Sequence, residues 1–312
     1  MSRILFIGGT RFVGRAMVEA ALARGHDVTL FHRGQSGADL FPGTEHVLGD
    51  RNADLGLLQE RSWDVVVDVA GFAPSVVRKS VTALRDSVKR YAFVSSISVH
   101  TEEGDGPITE ASPLQQMPSD WDGQDETVTP ESYGALKALC ESEVIAGFGG
   151  KALLFRPGLV VGPNDATDRF TSWVRTGAQA TEVDIPTTQV QPVQFTDARD
   201  LGQFMIHLIE EGWNGTVNAT GPVAPLTFGQ MWQTIQETMG RQVQTHWDTE
   251  GTAPLPCAKG FERFMSADNS KAVSLGLTTR PLEETVRDTW AWDQERGLPE
   301  LSVQPSRFKK SE

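Results

Sequence analysis

The sequence predicts an α/β fold, a doubly wound parallel sheet with a smaller C-terminal lobe, and three observations predict it. Short apolar runs recur through the first half, at residues 4–7, 28–31, 65–67, 91–94 and 152–155, with helical patterns between them. Several of these runs are continuous rather than alternating, as strands are when helices cover both faces of their sheet. After Phe155 the strand–helix rhythm breaks. Proline and glycine cluster at Arg156-Pro157-Gly158 and at Gly162-Pro163, and an irregular stretch follows to about Pro192.

Taken in order, the run at 4–7 leads into a helical stretch from Val13 to Arg24, closed by Gly25 as a C′ residue. A third strand is expected to end at Leu48-Gly49. In the later part, helices are expected from Asp200 to Glu211, from Thr227-Phe228-Gly229-Gln230 (a capping-box pattern) to Gly240, and from Pro281 to Arg296, with Gly297 beyond its end. This organisation assigns residues 1–160 and roughly 193–221 to one domain. A substrate lobe takes roughly 161–192 and 222–300, and 301–312 form a loose tail carrying Lys309-Lys310.

The 312 residues suffice for a sizeable core. A net charge of −13 and a pI near 5.0 argue against nucleic acid as a partner. No apolar run approaches the roughly 18 residues of a spanning helix, and Met1-Ser2-Arg3 enters a strand without a leader pattern. Cys140 and Cys257 have no metal-type spacing. The expectation is a reduced cytoplasmic setting, no membrane, no metal and a small-molecule substrate.

Gly8-Gly9-Thr10-Arg11-Phe12-Val13-Gly14 lies between a strand and a helix, where a dinucleotide-binding turn belongs. Gly8 permits the tight turn, Gly14 lets helix and strand approach, and the helix N-terminus faces a pyrophosphate. Arg11 stands where such motifs have a middle glycine. At the end of the second strand, His32-Arg33 replaces the acid that would accept the ribose 2′-hydroxyl. Two arginines suit a 2′-phosphate, which Arg33 can grip bidentately, so NADP is favoured and NAD remains possible. Asp50 is placed to meet the adenine edge. Ala70 and Gly71, ending the fourth strand, let ribose and pyrophosphate lie against the backbone.

Tyr133 and Lys137 stand four residues apart on one helical face. A free phenol titrates near pH ~10. A neighbouring ammonium would stabilise the phenolate and make it an acid–base group at neutrality, and Lys137 can also bond a nicotinamide ribose. Ser95-Ser96-Ile97-Ser98 follows a strand, at the carboxyl edge where α/β enzymes place their sites. A serine there can hold a substrate oxygen, or it can simply cap a turn.

Taken together, GGTRFVG, SSISVH, YGALK and RPGLVVGP resemble the extended or atypical short-chain dehydrogenase/reductase superfamily, the NAD-dependent epimerase/dehydratase-like proteins. The resemblance covers most of the chain, including the return strand and helix at Phe195-Thr196-Asp197-Ala198-Arg199-Asp200-Leu201. It implies a Rossmann sheet and a catalytic set of Tyr133 as acid–base group, Lys137 as its partner and Ser96 as substrate-oxygen ligand, with Ser98 in reserve. Pro157 and Gly158 would line the nicotinamide, and a homodimer through paired helices is possible.

The substrate is less defined. Ile97-Ser98 lacks the Asp-Glu pair of sugar-nucleotide dehydratases, and Val193-Gln194-Phe195 lacks the arginine with which epimerases clamp a diphosphate, although Arg169 or Arg175 could substitute. From Tyr91 to Leu136 there is no Lys or Arg, while nine acidic residues fall between Glu102 and Glu131. That 101–131 insertion should sit beside the site, either repelling polyanions or merely solvated, with Trp121 as a lid anchor over an apolar substrate. Trp173, Trp213, Trp232, Trp247, Trp290 and Trp292 are read as core, with pocket lining as the alternative. The primary reading is an NAD(P)-dependent oxidoreductase moving a hydride to or from a carbonyl or alcohol carbon. The alternatives are a nucleotide-sugar epimerase with tightly bound NAD(P), and a non-catalytic NADP-sensing or RNA-binding relative.

Overall fold

The computed structural model describes residues 1–247 and 262–303 and the backbone of 308–310; Cys257 and the side chains of the terminal lysines lie outside that range. In chain order the strands and helices begin with β1 (Arg3–Ile7), α1 (Phe12–Ala23), β2 (Asp27–His32), β3 (Glu45–Leu48), β4 (Trp63–Asp68), α2 (Pro74–Leu84) and β5 (Val88–Val94). After the acidic insertion come α3 (Tyr133–Phe148), β6 (Ala152–Pro157), β7 (Leu159–Val161), α4 (Thr171–Gln179), β8 (Ala180–Ile185), β9 (Pro192–Val193), β10 (Phe195–Asp197), α5 (Ala198–Glu210) and β11 (Gly215–Ala219). The last elements are β12 (Leu226–Thr227), α6 (Phe228–Met239), β13 (Gln244–Trp247), α7 (Ser270–Ser274), α8 (Leu282–Glu295) and β14 (Phe308–Lys310).

Seven strands form one all-parallel sheet in the order β11-β6-β5-β4-β1-β2-β3. The continuous apolar runs explain it, because both faces are buried. Ile4, Phe6, Val65, Val67 and Ala92 meet α1 and α5 on one face, whereas Leu5, Ile7, Val66, Tyr91 and Phe93 meet α2 and α3 on the other. The order reverses between β1 and β4, so a crevice opens at their carboxyl ends, where doubly wound sheets bind ligands. This is the predicted fold class.

A second core, built from 159–247 and 282–290, gathers Phe170, Trp173, Phe195, Phe228, Trp232 and Val286. Five of the six tryptophans are core rather than pocket lining. Trp173 and Trp232 are buried, Trp247 and Trp290 pack against the cluster, Trp213 packs on the sheet's core, and Trp292 lies under the Arg296 guanidinium. The stretch read as irregular to Pro192 contains α4 and β8. Each is short, nine and six residues, which leaves too little pattern for periodicity to register. The tail is not loose at its start. Ser302 donates from its amide to Asp168 (3.0 Å) and from its hydroxyl to the carbonyl of Thr167 (2.8 Å), and β14 pairs antiparallel with β8. The capping box is as predicted: Thr227 Oγ1 accepts from the Gln230 amide, and Gln230 Oε1 accepts from the Thr227 amide (2.9 Å).

The 101–131 insertion is anchored at several points. Its first turn folds back on itself through Thr101 N–H to Pro113 O (3.1 Å) and Gln115 N–H to Val99 O (2.7 Å), and Ile108 is fully buried with Ile97 and Ala267. Arg263 donates to the carbonyls of Glu102 (2.8 Å), Glu103 and Gly106. Trp121 does not stand over Ser96 and Tyr133. It lines a groove of about 480 Å³ with Met117, Ala138, Leu139 and Ser142, on a different face of α3 from Tyr133 and Lys137. Trp121 is therefore a wall of that groove and not a lid anchor over the site. No helix among the described residues is long and apolar enough to cross a membrane.

Gly134 fixes how α3 meets the turn after β5. A Cβ there would lie 2.1 Å from the backbone oxygen of Ser98 and 2.7 Å from the Gln115 side chain. Because backbone must move to relieve that overlap, Gly134→Ala is expected to destabilise the protein by about 1–3 kcal/mol, read as a lower urea midpoint. An unchanged midpoint would contradict this packing.

Candidate active site

The crevice floor starts at the glycine turn. Gly8 and Gly9 adopt φ of +92° and +97°, and the Gly8 amide donates to Phe31 O on β2 (2.9 Å). A Cβ on Gly8 or on Gly14 would meet Val69 Cγ2 at 2.9 Å, and one on Gly14 would also lie 3.0 Å from Gly9 Cα. Strand end and helix start thus touch as a dinucleotide turn requires. The N-cap of α1 is Arg11, whose side chain makes no capping bond, and no acid occupies the first turn. The amides and dipole at this end suit an anionic group. Thr10 reaches Ser36 (3.4 Å), while Phe12 (φ +34°) and Val13 pack against the sheet's core.

At the far end, Arg11 and Arg33 are both exposed. The loop carrying Arg33 is shaped by His32, whose Nδ1 accepts from the Gly34 amide (3.1 Å) and whose Nε2 meets His46 Nδ1 (2.8 Å). Asp50 accepts from the Asn52 amide (2.8 Å); this bond, with a smaller contribution from Arg33, holds its carboxyl below the usual range. Arg33 and Asp50 therefore belong to one corner.

A group the sequence reading missed ties the floor together. Asp68 ends β4, fully buried, and accepts both Arg51 nitrogens (2.9 and 2.7 Å), the Tyr91 hydroxyl (2.7 Å) and the Ala70 amide (3.1 Å). Burial would raise its pKa, but Arg51 beside it holds the carboxyl low. The signal was a charge closing the apolar run Trp63-Asp64-Val65-Val66-Val67-Asp68. Gly71, just beyond, has no room for a side chain: a Cβ would sit 2.6 Å from Phe93 and 2.7 Å from Val77.

Lys137 rises from α3 into this floor. It is 2% exposed, donates from Nζ to the carbonyls of Gly71 and Val94 (both 2.7 Å), and lies 4.2 Å from the Phe93 ring centroid. Burial pushes its pKa down to about 8. Tyr133, at the first turn of α3, lies near enough to the Ser96 hydroxyl for that group to favour the ionised phenol. Burial raises the phenol's pKa, opposed by the Ser96 hydroxyl and then by the charge of Arg169. This differs from the expectation that Lys137 would be the cation lowering it; that ammonium is turned toward the strand ends. Ser96 also accepts from the Ser98 amide (3.1 Å), so it caps a turn as well as meeting the phenol. Pro157 ends β6 buried, and Gly158 follows beside Thr220.

Behind this set lies a second buried pair, also missed. Arg156 bonds Glu141 twice (2.8 and 2.6 Å) and His100 Nε2 (3.1 Å), and His100 Nδ1 donates to Ser112 O (3.1 Å). It fixes the root of the insertion to β6 and α3.

A glycine turn with an uncapped helix start, facing a serine–phenol pair and a buried ammonium across a sheet reversal, defines an α/β enzyme built for a dinucleotide. The chain belongs to the NAD dependent epimerase/dehydratase family, whose model matches residues 4–220. Among curated proteins it is 26% identical, over 226 residues, to the chloroplast stem-loop binding protein of 41 kDa b of Arabidopsis thaliana, covering 66% of this chain and 55% of that one. The chain thus spans about half the length of that relative. Among solved structures it resembles UDP-glucuronic acid 4-epimerase from Bacillus cereus with NAD (18% identity, TM-score 0.71, 94% and 99% of the two chains). It also resembles UDP-glucose-4-epimerase from Stenotrophomonas maltophila with NAD (19% identity, TM-score 0.71, 96% and 99%). At these identities the likeness establishes the fold.

The depressed lysine makes a prediction about pH. Between about 8 and its ordinary 10.5, the folded state binds fewer protons at Lys137 than the unfolded state. Stability from this group therefore rises with pH across that window. Urea unfolding of the wild type against Lys137→Met should show the wild type gaining on the variant from pH 8 to 10.5. A constant difference would mean that the ammonium is not desolvated.

Proposed function

We propose that the protein is an NAD(P)(H)-dependent oxidoreductase acting on a carbonyl or alcohol carbon of a small molecule. The observation that carries this reading is the close seating of the first turn of α3, which bears Tyr133, on the Ser96–Ser98 turn beside the buried Lys137, at the carboxyl edge of the sheet that also carries the glycine turn. Residues 1–160 with 193–221 form the cofactor half, and 161–192 with 222–300 the substrate lobe. Gly8, Thr10, Arg11, Phe12, Val13 and Gly14 would hold the pyrophosphate, Asp50 the adenine edge, and Ala70, Gly71, Pro157 and Gly158 the ribose and nicotinamide. When bound, the cofactor supplies or accepts the hydride.

The chain's own residues do the rest. Tyr133 Oη passes a proton to the substrate oxygen during reduction and takes it back during oxidation. The Ser96 hydroxyl donates to that same oxygen and holds it against the phenol. Two Lys137 protons are committed to Gly71 and Val94, and the third would be left to hold a ribose hydroxyl of the cofactor, joining it to the acid–base group. Arg33 would take a 2′-phosphate, which favours NADP; its proximity to Asp50 limits that preference.

A nucleotide-sugar epimerase needs cations for a diphosphate. Arg175, one of the two candidates, is bound by both Asp293 oxygens (2.7 and 2.6 Å) and by Pro299 O, which weakens that reading. The stem-loop name of the Arabidopsis relative raises RNA binding, against which stand the −13 charge and the exposed acids Glu103, Asp105, Asp120, Asp122, Asp125 and Glu131.

Tyr133→Phe should lower kcat for NADPH-dependent reduction of a carbonyl panel by about 10²–10⁴-fold while NADPH affinity stays nearly constant. Unchanged turnover would end the acid–base role. NADPH should bind more tightly than NADH, with Arg33→Ala narrowing the gap; equal affinities in the wild type would remove the 2′-phosphate assignment. A stem-loop RNA should give no retardation at physiological salt, and a saturable shift would favour the RNA-binding reading.

A further inference from the structure

The segment after β7 runs from a contact with α1 to Arg169, whose charge acts on the phenol. Asn164 Oδ1 accepts from Arg15 of α1 (3.1 Å), which holds the start of the segment against the first turn of that helix. Asp165 Oδ1 then accepts from the amide (2.9 Å) and hydroxyl (2.7 Å) of Thr167, and Thr167 Oγ1 accepts from Arg169 Nε (3.0 Å). Thr167 thus steers the side chain of Arg169, half-buried, whose charge reaches the Tyr133 phenol. Phe170, next in sequence, is fully buried and fixes the backbone.

The charges around Arg169 are engaged elsewhere. Asp168 accepts from Arg296 (2.6 Å) and the Ser302 amide, and Asp293 takes both Arg175 and Arg296. Asp165 is near enough to feel Arg169 but makes no ion pair with it, and burial raises its pKa. Among the described residues no carboxylate is in ion-pair range of Arg169, in a chain with 41 acidic residues against 28 basic ones. A half-buried guanidinium held by Nε alone keeps its NH1 and NH2 donors for a bidentate acceptor.

Resting on the oxidoreductase reading, we propose that Arg169 receives a single oxyanion group, carboxylate or phosphate, carried by the substrate close to the carbon on which Tyr133 acts. One guanidinium matches one such group. With Arg175 engaged and the nearby insertion acidic, a diphosphate would lack its second cation.

The test uses the full chain saturated with NADPH and three probes: benzoate, phenyl phosphate and neutral benzyl alcohol, followed by calorimetry. Benzoate or phenyl phosphate should bind, and Arg169→Gln should weaken that binding about 10- to 100-fold, with Arg169→Lys intermediate, while NADPH affinity and Tm stay constant. Benzyl alcohol should respond to neither variant. Which anion binds more tightly identifies the group. Failure of both anions to bind, or equal binding to wild type and Arg169→Gln, overturns the proposal. Anion binding lost in Arg169→Gln, in a protein that reduces no carbonyl compound, would instead retire hydride transfer and leave the anion site standing.

Discussion

An ammonium stripped of water, with two of its protons on the carbonyls of Gly71 and Val94, is the interaction around which the sheet edge is arranged. Burying a cation disfavours its charged form, and Lys137 is shifted accordingly, to about 8. The fold tolerates this because the carbonyls ending β4 and β5 converge on Nζ and the Phe93 ring lies beneath it. A side chain without that charge would leave two strand-end carbonyls unpartnered. The lysine therefore ties the loop after β4 to the end of β5 on one side of the crevice, and its place on α3 sets Tyr133 one turn away near Ser96.

Two buried ion pairs support that arrangement from either side. Arg51–Asp68 with Tyr91 binds the loop after β3 to the end of β4 and the middle of β5, so the corner expected to meet the adenine and the floor expected to meet the ribose are one connected piece. Arg156–Glu141 with His100 binds β6 and α3 to the root of the acidic insertion. Each pair is hydrogen-bonded at nearly every polar atom, the condition under which buried charge is tolerated. Removing one partner would leave an uncompensated charge in the core, and the Arg156–Glu141 pair constrains where the helix bearing Tyr133 can sit.

Much of the fold was legible because both-faces-buried strands and capped helices leave strong local signals. The runs at 4–7 and 152–155 and the Thr227–Gln230 box are examples. The glycine turn was legible for a steric reason, since no other residue fits where Gly14 meets Gly9. Elements α4 and β8 were not, being too short to show a period. Nor were the Arg51–Asp68 and Arg156–Glu141 pairs, whose partners lie 17 and 15 residues apart and meet only through sheet topology. Tyr133, Lys137 and Ser96 could be nominated from spacing. That Lys137 would face strand carbonyls, while Arg169 brought its charge to the phenol, depended on three-dimensional placement.

The central claim is that this buried ammonium joins the cofactor to the acid–base phenol. A crystal structure of the full chain grown with NADP tests it most directly. The account predicts the pyrophosphate on the amides that open α1, a ribose hydroxyl within hydrogen-bond distance of Lys137 Nζ, and the nicotinamide beside Tyr133 Oη. A dinucleotide absent from the glycine turn, or bound there with its nicotinamide directed away from Tyr133, would contradict it.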